Sequence, residues 1–256
     1  MKYNIKGTKQ EITLDKKHYL TSGGEGNIYV KNGIVYKICL PGKMISEAKF
    51  LELNVLTNPK IIKPEQIVLE AGVPVGYTMN YIKDAITLCQ IFPKAYRNRN
   101  NVTQDQMLHL VKQMQTTLAD IHSHKILVVD FNEMNFMVND KYEDVYFIDV
   151  NSYQTPSYPA LAIAENIRDR HSKTFTVNTD FFSFAIISCQ MFVGIHPFKG
   201  KHPKYPDAKT AMDERMKHNI SIFNPDVDYP VASCQDLKSV PSGYMEWYIR
   251  MRSEEH

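Results

Sequence analysis

Residues 179–194 read TDFFSFAIISCQMFVG, apolar on nearly every side. A helix without a polar face has to be surrounded by protein, so this segment belongs at the centre of a domain. It falls short of the roughly 20 apolar residues a membrane-spanning helix needs, and no other run comes closer. Around it, from about residue 84 onward, the chain reads as helical. Thr103 with Gln106 makes a capping box. Met107, Leu110, Val111, Met114, Leu118 and Ile121 then form one apolar stripe at helical spacing. DAKTAMDERMKHN and SGYMEWYIRMR are further amphipathic candidates.

The first eighty residues have a different period. HYLTSGGEGNIYVKNGIVYKICL holds a glycine cluster and two short β-rich runs joined by Asn32-Gly33. Asn-Gly between such runs signals a hairpin, because a type I′ turn needs positive φ at both positions. SEAKFLELNVL follows, with Ile45, Ala48, Leu51 and Val55 at helical spacing. QIVLE and PVGYTMNYI then complete about five strands, with one helix between the third and fourth. The expected architecture is α+β and bilobal: a β-rich lobe over residues 1–82 with a five-stranded antiparallel sheet, and a larger, mainly helical lobe over 83–256.

Length and composition set bounds on function. A chain of 256 residues buries a sizeable core, and 43% apolar with 23% charged residues is ordinary for a globular protein. A net charge of +2 supplies no general attraction to nucleic acid or an anionic membrane, so neither partner is expected. Cys39, Cys89, Cys189 and Cys234 are scattered, with no CxxC pair, so no disulfide partner and no zinc site is expected. MKYNIKGTKQEITLDKK lacks the apolar core of a signal peptide, which points to reduced cysteines and a cytoplasmic location, a host cytoplasm if the chain is viral.

The segment VVDFNEMNFMVNDKYEDVYFIDVN, residues 128–151, carries the chemistry. Asp130 and Asn135 lie five residues apart, and Asp149 fourteen further on, after the apolar run Val145–Ile148. Taken alone, a surface hairpin with solvated charges explains the pattern as well. Upstream stand TSGGEGNIYV, with Gly23, Gly24 and Gly26, then IVYKI with Lys37 inside an apolar strand, where a lysine is costly unless paired. EAKFL offers Glu47, and GYTMNYI offers Met79, Asn80 and Ile82.

Each fragment is common by itself; a hairpin, a solvated acid or an edge strand accounts for any one of them. Their order along residues 18–200 resembles a protein kinase, more like divergent bacterial and phage serine/threonine kinases than eukaryotic ones. The resemblance implies a glycine-rich loop over ATP phosphates at Gly23, Gly24, Gly26 and Ile28, with Thr21 where the first glycine usually stands. It implies a phosphate-binding Lys37 paired with Glu47. Met79 is then the gatekeeper, the backbone of Asn80 and Ile82 faces adenine, and Met137 lies under the nucleotide. Asp130 becomes the catalytic base, Asn135 and Asp149 the ligands of Mg²⁺ (or Mn²⁺), and Asp180 the brace beneath the catalytic loop.

The departures are specific. Val128-Val129 replace His-Arg, so no arginine waits there for a phosphorylated activation segment. Asn132 replaces a lysine typical of Ser/Thr kinases, Val150-Asn151 replace Phe-Gly, and AIAEN stands where A-P-E is usual. The chain stops soon after EWYIRMR, as expected of a domain excised from something longer. The expected function is ATP- and Mg²⁺-dependent transfer of the γ-phosphate to serine or threonine of a protein substrate. Two alternatives stay open: a small-molecule phosphotransferase of the aminoglycoside or choline kinase type, and a pseudokinase serving as a nucleotide-binding module.

Overall fold

The structure, a computed structural model, describes residues 1–250. It opens with β1 (Lys2–Ile5), β2 (Glu11–Thr13), β3 (Tyr19–Ser22), β4 (Gly26–Lys31) and β5 (Ile34–Cys39), then α1 (Glu47–Leu53), β6 (Gln66–Glu70) and β7 (Val73–Asn80). These strands form one antiparallel sheet in the order β2-β1-β6-β7-β5-β4-β3. The sheet thus has seven strands where five were expected. β1 and β2 are short and lie in a stretch rich in lysine, yet Tyr3, Ile5, Ile12 and Leu14 alternate inward onto Tyr36 and Val68. Asn32 (φ 52°) and Gly33 (φ 75°) turn β4 into β5 as their positive-φ preference requires.

The phase expected for the first helix is corrected. α1 is only seven residues long and capped by Ser46, so Ile45 and Val55 lie outside it. Phe50, Leu53 and the following Leu56 are buried, whereas Leu51 and Val55 are exposed. Phe50 packs with Ile67 and Tyr77 against the sheet.

The larger lobe comprises β8 (Ile86–Thr87), α2 (Lys94–Asn100), α3 (Gln104–Ser123), β9 (Phe136–Val138), β10 (Val145–Phe147), α4 (Val177–Val193), α5 (Ala211–Lys217) and α6 (Ser242–Ile249). The last two residues of the expected terminal helix, Met251 and Arg252, lie outside the described residues. The capping box of Thr103 and Gln106 opens α3, and all six residues of its apolar stripe are fully buried. α3 packs along α4, the apolar helix at the centre of the lobe. Arg97, buried itself, donates to the carbonyls of Met191 and Phe192, unpaired acceptors in the last turn of α4.

His196, in the loop after α4, is 2% exposed. Its Nε2–H donates to the Asn166 carbonyl at 2.7 Å, and Nδ1 accepts from Phe198 N–H at 3.1 Å. Burial pushes its pKa down to about 4 from 6.5, although the Asn166 carbonyl opposes this. Between those values the unfolded chain binds a proton that the folded chain refuses, so stability falls as pH drops through this window. A gap of that size corresponds to about 3 kcal/mol. Urea unfolding at pH 7 and pH 4 should show the loss, and His196→Gln should remove most of that share; an unchanged pH dependence in the variant would contradict the assignment.

Candidate active site

The segment 128–151 folds as expected of a hairpin: β9 and β10 pair antiparallel, with Phe136 opposite Phe147 in an edge-to-face contact. The strand β8 closes the small sheet on the other side of β9. Just before the hairpin, Val129 adopts φ 61°, a left-handed backbone that is costly for a β-branched residue. Asp180 holds it there. This wholly buried carboxylate accepts the N–H groups of Val128 and Val129, each at 2.8 Å, and Nε2–H of His122 at 2.9 Å. Thr176, and not Asp180, caps α4, so bracing the loop is what the aspartate does.

Asp130 and Asn135 are brought together. The Asn135 amide donates to the Asp130 carbonyl at 3.0 Å and to its Oδ2 at 3.3 Å. The other carboxylate oxygen of Asp130 accepts Ala164 N–H at 2.9 Å, which joins the AIAEN segment to the loop. The Asn135 carbonyl accepts Ile148 N–H at 2.9 Å, locking the loop to the residue before Asp149. Asp149 itself sits at φ 57°, and burial raises its carboxyl above the usual range while the Lys37 charge pulls the other way.

Lys37, in β5, is 8% exposed, and its ammonium donates to Glu25 at 2.6 Å, Asn151 at 3.3 Å and Asp149 at 3.5 Å. The Asn151 amide donates in turn to Glu25 at 2.9 Å. The expected pair of Lys37 with Glu47 is therefore corrected. Glu47 is exposed and pairs with Lys6 at 2.5 Å. Lys49 of α1 is half-buried, and burial pushes its ammonium below its ordinary pKa despite the charges of Glu25, Asp149 and Glu52. Partial burial works against charge on Glu25, yet the hydrogen bond and charge of Lys37, with the Asn151 amide, hold its carboxyl below the usual range. Glu25 was missed because a residue in a glycine-rich loop has no periodicity to announce its partner.

A cavity of about 310 Å³ opens above this cluster. Leu20, Ile28, Val35, Ile62, Met79, Tyr81, Ile82, Met137 and Ile148 give it apolar walls, and Lys37, Asp149, Asn80 and Asn151 give it polar groups. A second space of about 370 Å³ shares Thr21, Ile28, Lys37 and Asp149 with it and is lined by Gly23, Gly24, Glu25 and Gly26, so the two form one cleft. Asp130, Asn135 and Glu47 line neither; the first two are tied to the cleft through Ile148 and Asp149. The glycines divide in role. A Cβ on Gly26 would meet the Ile38 carbonyl at 2.4 Å, so packing of β4 on β5 demands that glycine, whereas Gly23 and Gly24 face open space. A larger cavity of about 890 Å³, between Lys199 and Asp228, contains none of these acids.

No protein-family profile matches the chain. It is 24% identical over 246 residues to Protein kinase YegI of Escherichia coli (strain K12), an alignment covering 85% of this chain and 37% of that protein. To Protein kinase YegI of Escherichia coli O157:H7 it is 23% identical over 224 residues, covering 78% of this chain and 34% of the relative. The chain thus spans little more than a third of the length of the curated relatives it matches. Its fold superposes on the Cydia pomonella granulovirus kinase PK-1 with a TM-score of 0.64 at 15% identity, over 93% of this chain and 89% of that one. Bilobal architecture, the D-x4-N hairpin beneath an apolar cleft, and the superposition on PK-1 together give the chain a protein kinase-like fold.

Proposed function

We propose that the chain is a phosphotransferase that uses ATP and a divalent cation, Mg²⁺ by preference, to phosphorylate serine or threonine hydroxyls of a protein. The observation that carries this reading is the meeting of Lys37 and Asp149 at 3.5 Å on the polar floor of an otherwise apolar cleft. The walls from Ile28, Met79 and Met137 suit a planar base, with the backbone of Asn80 and Ile82 beside it. Gly23 and Gly24 leave room for phosphates, and the Lys37 ammonium offers the charge to hold them.

The donor set fits a hard cation. Asp149 supplies a half-buried carboxylate and Asn135 an amide oxygen, while its NH₂ is engaged by Asp130. Among the described residues no three His, Cys, Asp or Glu gather as a metal cage. Mg²⁺ is usually bound by one or two side chains plus substrate phosphates, the number that Asp149 and Asn135 supply. When bound, the cation neutralises charge on the phosphates. In this reading Asp130 orients the acceptor hydroxyl and takes its proton. A protein acceptor is favoured by the name the YegI proteins carry.

Mg·ATP at a hundredfold excess over its dissociation constant should stabilise the fold by about 2.7 kcal/mol, AMP should stabilise it less, and Lys37→Ala should erase most of the difference. Equal melting shifts for AMP and ATP would remove the phosphate cradle. Labelled γ-phosphate ATP incubated with a lysate then decides the acceptor: label in protein supports the reading, label in a small molecule favours the alternative phosphotransferase, and ATP binding without transfer favours a pseudokinase.

A further inference from the structure

The geometry points to Glu25, on the glycine-rich loop, as the residue that positions Lys37 in place of an acid from α1, with Asn151 as the bridge between them; this deepens the proposed phosphotransfer reading and rests on it. A buried ammonium needs a compensating charge, and leaving one unpaired is strongly unfavourable. Lys37 has two carboxylate partners, Glu25 at 2.6 Å and Asp149 at 3.5 Å. If Asp149 is to hold a cation, Glu25 is the carboxylate left to hold the lysine.

The helix offers no substitute. Glu47 is turned to Lys6, Glu52 accepts Ser157 N–H at 3.2 Å, and Lys49 is the α1 residue whose charge acts on Glu25 and Asp149. Lys49 attracts the same two acids, so α1 acts on this site as a source of positive charge. Asn151 completes a closed triangle: its carbonyl oxygen accepts from Lys37 at 3.3 Å, and its amide donates to Glu25 at 2.9 Å. Asn151 is buried, whereas the Glu25 side chain is 43% exposed. The lysine is therefore fixed by a rigid amide below and by a carboxylate on a loop above. The orientation of Lys37 is thereby tied to the position of the glycine-rich loop that carries Glu25.

Two double-variant cycles test this. In thermal unfolding, Glu25→Gln and Lys37→Met should each lower the melting temperature, and the double variant should lie no lower than the worse single, because coupled groups are not additive. Glu47→Gln combined with Lys37→Met should be additive. In phosphate transfer, Glu25→Gln should reduce turnover by about 10–100-fold on the native background and have no further effect on Lys37→Met, as expected of a group acting through another. Glu25→Asp should recover part of the rate, which loss of fold alone would not produce. Additive melting losses for Glu25 and Lys37, wild-type turnover in Glu25→Gln, or a Glu47→Gln loss as large as that of Glu25→Gln would each overturn the assignment. If the wild type binds ATP and transfers nothing, the phosphotransfer reading alone fails, and the unfolding cycle still decides whether Glu25 holds Lys37.

Discussion

Asp130→Ala should leave Mg·ATP affinity nearly intact while cutting turnover by about 10²–10⁴, the usual worth of a general base and positioning group. That is roughly 3–5.5 kcal/mol of transition-state stabilisation with little ground-state change. Asp130 lines neither part of the cleft and is engaged by Asn135 and Ala164, so its loss removes nothing the nucleotide would touch. Asp149→Ala should behave differently, because Asp149 lines both parts of the cleft and would hold the cation against the phosphates. Binding and transfer should fall together. ATP affinity and phosphate incorporation, measured for wild type and both variants at one Mg²⁺ concentration, separate the two roles. Transfer by Asp130→Ala at the wild-type rate would show that VVDFNEMN is not the catalytic loop.

The second large effect is on stability. Asp180→Ala should destabilise the fold by about 3–5 kcal/mol, a large share of a typical domain's total. The substitution leaves the N–H groups of Val128 and Val129 and the His122 ring without their acceptor inside the lobe. It also releases Val129 from a left-handed backbone that nothing local favours. Asp180→Asn keeps one acceptor oxygen and should lose less. Urea unfolding gives the stabilities, and the fraction still folded should show low turnover because Asp130 follows the released residue directly. A stability within about 1 kcal/mol of wild type for the alanine variant would refute the brace, since each orphaned buried donor alone costs that much or more.

Much of the larger lobe was legible in the sequence because its signals are local. The stripe on α3 repeats at the helical period and the apolarity of α4 runs all round it; every residue of the stripe and every apolar residue from Phe182 to Val193 is buried in the structure. The hairpin carrying Asp130, Asn135 and Asp149 was legible for a similar reason, as short β-rich runs around polar turns at fixed spacing. Ile28, Met79, Asn80, Ile82 and Met137, inferred from the order of fragments along the chain, do line one cavity.

What failed was everything that depends on which face of a short element meets another. α1 has too few turns for periodicity to fix its phase, and the burial of Phe50 against the sheet and of Leu53 in the main core left Lys49 half-buried and Glu47 outside with Lys6. β1 and β2 are too short and too polar to be marked by alternation before a partner strand exists. The composition and period of the chain determined by themselves that it would fold as a β-rich lobe joined to a helical lobe, with an acid, an amide and a second acid around one hairpin. Only the tertiary structure decided the partner of Lys37, because that choice joins residues 12 and 112 positions apart and is made by packing and desolvation where they meet.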